Sequence, residues 1–197
     1  MKQYLGVSRA SCVVASLLGG IVQPAPSPPS AAPAVAGRPA TDASVPSDNL
    51  RVLDRLAGRW KMDVTLFVQG KPSVQLAGTS ENAWIIGGRF LQCASSAGEG
   101  DARSDAVMTF GYDQRGGEYF AVAVSTSATP YLSLHGPYYD ASRSFVLRGE
   151  DTTSVGIRFK RRYVIRFTGT DRYVIEGFLE YPRANPVQQF EIVYTRS

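Results

Sequence analysis

Leu56-Ala57-Gly58-Arg59-Trp60-Lys61-Met62-Asp63-Val64-Thr65-Leu66 is the stretch that decides the fold. Upstream of it, Leu50, Leu53 and Leu56 recur every third residue and give one apolar stripe of a short helix. Ser47 is placed to cap that helix and Gly58 to end it. Two or three helical turns are too short to stand alone in water, so the helix is expected to plug or flank a sheet. Downstream the period drops to two. Trp60, Met62, Val64, Leu66 and Val68 share one face of a strand, while Lys61, Asp63 and Thr65 take the other.

The period of two then persists to the end of the chain. Strands are expected at about 59–69, 73–86, 88–97, 105–112, 118–128, 131–139, 144–151, 156–168, 172–181 and 187–196. Turn chemistry separates them: Gly70-Lys71-Pro72, Asp113-Gln114-Arg115-Gly116-Gly117, Asp140-Ala141-Ser142-Arg143 and Thr170-Asp171. No helical pattern intervenes, so the connections are hairpins and the sheet is antiparallel. An all-β sheet of about ten strands is expected to close into a barrel, which removes its edges and leaves room for one small ligand.

Alternation also assigns faces. In the eighth strand Arg158, Lys160, Arg162 and Arg166 oppose Ile157, Phe159, Tyr163, Ile165 and Phe167; in the last, Phe190, Ile192 and Tyr194 oppose Gln189, Glu191 and Thr195. The basic row reads as a solvated outer wall. Arg161 stands on the apolar side and marks either a bulge that resets the register or a charge pointing into a cavity.

The first 46 residues differ in kind. Residues 1–22 read as a signal peptide: Lys2 and Arg9 precede the apolar run Cys12–Val22, whose 11 residues are too few for a spanning helix of ~20. Cys12 sits at the front of that run, which argues against a lipid anchor. Residues 23–46 hold seven of the 12 prolines and read as a Pro/Ala-rich disordered linker, leaving 47–197 as the folded domain. The expected location is outside the cytoplasm, periplasmic or secreted, with no transmembrane segment in the mature chain.

Composition excludes several functions. The net charge of +4 owes much to Lys2, Arg9 and Arg38, which precede the first acid, Asp42; without them 18 basic residues face 17 acidic. A nucleic-acid binder concentrates positive charge on its folded part, so nucleic acid is not an expected partner. One histidine, His135, rules out a multi-His zinc site, and no metal is expected. With Cys12 in the leader, Cys93 is left without an internal disulfide partner.

The ordered set Leu56-Ala57-Gly58-Arg59-Trp60, Trp84-Ile85-Ile86-Gly87-Gly88-Arg89-Phe90-Leu91, Phe110-Gly111-Tyr112-Asp113, Gly136-x-x-x-Asp140 and Tyr194-Thr195-Arg196 is similar to the bacterial domain-of-unknown-function family numbered 1579. More broadly, Gly58-x-Trp60 at a helix-to-strand junction resembles the calycin superfamily of lipocalins, fatty-acid-binding proteins and nitrobindins. The resemblance implies a lipocalin-like barrel and no established reaction. It also implies that a late arginine covers the tryptophan, for which Arg196 is the candidate. Nitrobindins hold haem through a histidine near the chain's end, where this chain reads Glu191-Ile192-Val193-Tyr194-Thr195-Arg196; haem is therefore not expected, and no cofactor is.

The expected function is that of a binder of a small apolar or amphipathic molecule, with polar contacts from His135, Arg89, Tyr112, Tyr131 and Tyr163. Three alternatives stay open: an enzyme using His135 in the cavity, a haem protein, or a ligand-free structural barrel. A triad of Ser133, His135 and Asp140 lacks a nucleophile elbow, and the neighbours Glu150 and Asp151 point to opposite faces of a strand, so no catalytic residue is expected.

Overall fold

A computed structural model describes residues 48–153 and 156–197. The expected signal peptide, the linker and the Ser47 cap lie outside the described residues. A 3₁₀ helix, Asp48–Leu56, leads into β1 (Gly58–Leu66). Then come β2 (Val74–Ile85), β3 (Phe90–Ala97), β4 (Ser104–Asp113), β5 (Glu118–Ser125) and β6 (Ala128–Gly136). The rest are β7 (Tyr138–Tyr139), β8 (Ser144–Thr152), β9 (Arg158–Phe167), β10 (Arg172–Glu180) and β11 (Val187–Arg196). Every pairing is antiparallel, in the order β6-β5-β4-β3-β2-β1-β11-β10-β9-β8-β7.

The sheet closes on itself, as expected. β6 pairs with β8 through His135 and Arg148, and β7 continues the seam through Tyr138–Phe145 and Tyr139–Ser144. β6 and β7 are two pieces of one stave, interrupted at Pro137, which has no N–H to give the ladder. Eleven segments thus make ten staves. No helix among the described residues is long and apolar enough to cross a membrane.

Leucines spaced by three suit a 3₁₀ helix better than an α-helix, because residues i and i+3 eclipse at three residues per turn. Leu50, Leu53 and Leu56 are all buried. The barrel ties down the helix carbonyls that have no helical partner. Leu56 O accepts from Trp60 Nε1 at 2.9 Å and Asn82 Nδ2 at 2.7 Å, and Asn49 O accepts from the Tyr119 hydroxyl at 2.8 Å. Trp84 Nε1 adds a bond to Asp54 Oδ1 at 2.8 Å.

The helix therefore seals one end of the barrel, over a core that includes Trp60, Leu91, Leu134, Phe145, Leu147 and Ile165. Arg196 covers the Trp60 ring at 4.3 Å, donates from Nη1 to Ala57 O at 3.2 Å and pairs with Asp171 at 3.1 Å. Tyr173 meets Trp60 edge-on at 4.7 Å and stacks on Tyr194 at 4.2 Å. The opposite end carries the β5–β6 hairpin and the far ends of β8 and β9.

Candidate functional site

Inward residues of the strands enclose a cavity of about 390 Å³ between the sealed end and the open one. Met62, Val64 and Leu66 of β1, Met108 of β4 and Ile175 and Ile192 of β10 and β11 make its wall apolar. Small side chains create the space: Ser95, Ala106, Ala123 and Ser125 line the β3–β5 side, where large residues would fill the interior. Tyr163, Tyr173 and Tyr194 line it as well.

Asp151 and Arg161 are the charged residues among the cavity's lining. β9 stays in register with β8 and β10 across position 161, so Arg161 is not at a bulge; its side chain faces in. Its Nε donates to Asp151 Oδ2 at 2.7 Å, and the Thr152 N–H donates to Oδ1 at 2.7 Å. Burial works to raise the Asp151 carboxyl, but the Arg161 and Thr152 hydrogen bonds and the Arg161 charge outweigh it and hold it below its ordinary range. The two side chains are 34% and 35% exposed, so the pair sits at the mouth rather than in the depth of the cavity.

The other polar groups are neutral. Burial raises the Tyr163 phenol, with Arg161 opposing, and burial also raises Tyr194. Neither hydroxyl has a hydrogen-bond partner among the described residues, although Tyr194 is only 7% exposed. Cys93 lines the cavity too; burial pushes its thiol up to about 12, so it is no nucleophile at neutral pH. Among the described residues no group of three or more His, Cys, Asp or Glu side chains could hold a metal ion.

The residues singled out from sequence separate. Tyr163 lines the cavity and Tyr131 stands at its mouth, 70% exposed. Tyr112 packs against Tyr119 at 5.0 Å in the sealed end, and Arg89 lies in the β2–β3 turn at that same end. His135 is a correction. Leu132 and Leu134 are the inward residues of β6, which puts His135 on the outer wall, its side chain 49% exposed. An enzyme using His135 inside the barrel is thereby removed.

On that outer wall His135 Nε2 lies 3.2 Å from Ser133 Oγ and Nδ1 lies 3.6 Å from Glu118 Oε1. The order Ser–His–Glu is that of a hydrolytic triad. It stands on the outside of the sheet with His135 and Glu118 nearly half exposed to water, and none of the three residues lines the interior cavity, so the group lacks the shelter from water that acyl transfer needs. A second depression, of about 740 Å³, runs along β1–β5 between Arg59, Glu81, Asp105 and Ser197, and is open to solvent.

Sequence reasoning found Arg161 as an anomaly but missed its partner. Asp151 carried a signal: it is in phase with Phe145 and Leu147, the inward residues of β8.

Among solved structures, the S-type phycobiliprotein lyase CPES from Guillardia theta is similar in fold, with a TM-score of 0.52 over 75% of this chain and 91% of that chain. At 8% identity the likeness concerns the fold alone. No curated protein matches the sequence. The family described as "Protein of unknown function (DUF1579)" matches residues 45–196, the whole barrel and the helix that seals it, and the chain belongs to that family.

Proposed function

We propose that this is an exported, non-enzymatic barrel that holds one small apolar or amphipathic molecule in its interior. The enclosed cavity of about 390 Å³ carries the proposal, since it exceeds the ~300 Å³ at which small-molecule pockets begin. A barrel stabilised only by its own side chains has no need of such a space, because each unfilled volume forfeits packing. The wall takes the apolar body of the ligand, and the mouth, with Asp151, Arg161, Tyr131 and Tyr163, takes its polar end. The fold shared with a phycobiliprotein lyase is compatible with holding a ligand. Export rests on the leader-like sequence of residues 1–22.

Titration with Nile red, a neutral dye that brightens in apolar surroundings, tests the binding. Ala106→Phe fills the cavity from β4. The wild type is expected to take up one dye per chain, and the variant to bind at least tenfold more weakly while keeping its near-UV circular dichroism. Equal uptake by both proteins places the dye elsewhere and removes the proposal.

A further inference from the structure

The charges at the cavity cancel, and we infer that this selects an uncharged, oxygen-bearing amphipath over an anion of the same chain length. The inference builds on the binding function proposed above and names its ligand class. Asp151 and Arg161 form a 2.7 Å pair, so the site presents almost no net charge to a ligand. It does present donors. Arg161 uses Nε for Asp151, and its Nη N–H groups have no hydrogen-bond partner among the described residues. Tyr163, two residues along the same strand, adds a hydroxyl that also lacks one, and Tyr194 adds another deeper in the cavity, towards the sealed end.

Both carboxylate oxygens of Asp151 are already engaged, one by Arg161 and one by the Thr152 N–H, so the carboxylate does not swing away to admit another anion. An incoming carboxylate gains from Arg161 but loses to Asp151 at a comparable distance, and it still gives up its hydration. A hydroxyl, ketone or ester gives up far less hydration and takes the same donors. Asp151 is thus a specificity-determining residue, and removing its charge leaves Arg161 as an unopposed cation at the mouth.

Calorimetry on the full chain at pH 8, with 1-decanol and decanoate as probes, tests the assignment. The wild type is expected to bind the alcohol at least tenfold more tightly, a difference of about 1.4 kcal/mol. Asp151→Asn is expected to bind decanoate at least tenfold more tightly than the wild type does, with its affinity for the alcohol within threefold. A wild type that binds decanoate as tightly as decanol overturns the selectivity and leaves the binding function standing. A folded Asp151→Asn with no gain for decanoate overturns the role of Asp151. Binding of neither probe to the wild type overturns both proposals, and the wild-type comparison decides on its own should the variant not fold.

Discussion

At the scale of single residues, the Asp151–Arg161 pair joins stability to pH. The native carboxyl lies below the ordinary aspartate value near ~3.9, so the pair stabilises the fold above about pH 4 and loses that contribution as the pH falls through the native value. The pair is a third exposed, and its worth is about 0.5–1 kcal/mol. Urea denaturation is expected to show the wild type ahead of Asp151→Asn at pH 7 and level with it at pH 2.5. Gly58 carries a larger dependence. Its φ of +116° is open to glycine alone, and an added Cβ would lie 2.6 Å from Arg196 Nη1, displacing the guanidinium that covers Trp60. Gly58→Ala is expected to cost about 1–3 kcal/mol in the same assay. The contact between Trp60 and Arg196 was legible through family resemblance, whereas the side of the wall on which His135 stands was misread. β6 carries bulk at successive positions, Tyr131 then Leu132 with Leu134 beyond, so bulk alone does not say which way His135 points. Two leucines in alternation were the better guide, because leucine has no polar end to keep in water.

At the scale of elements, local patterns did most of the work, and the ten expected strands match the observed staves to within a few residues. Turn residues and a two-residue period are encoded where they act, so hairpins are readable in order. The break at Pro137 was not, although the proline announces it. Ile157, assigned to the inner face, lies just before β9 and is exposed. The seam between β6 and β8 depends on Gly149, where a Cβ would run into the backbone oxygen of Ser133; only a residue without a side chain lets the two strands approach. The 3₁₀ helix is held by packing more than by propensity, since poor hydrogen-bond geometry makes such helices weak by themselves. Leu53, 1% exposed, is its central anchor. Leu53→Ala is expected to destabilise the protein by about 2–4 kcal/mol, read from the denaturation midpoint.

At the scale of the whole molecule, closure follows from the number of strands and their unbroken antiparallel order, both present in the sequence. The cavity does not follow. Periodicity says which residues face inward, but how far they fill the interior depends on side chains from β3, β4, β5, β9 and β11 meeting across the barrel. Those contacts join residues distant in sequence, and one sequence read alone does not reveal which of them are small together. The same is true of Asp151 and Arg161, which meet across neighbouring strands from positions ten residues apart. Met62 and Met108 offer a direct view of the interior, because both line the cavity and come from β1 and β4. With the methionine methyl groups labelled with ¹³C, titration of the full chain with 1-decanol is expected to shift the Met62 and Met108 resonances together and to saturate at one equivalent. Unmoved Met62 and Met108 resonances at saturating alcohol would contradict the claim that the barrel encloses a ligand site.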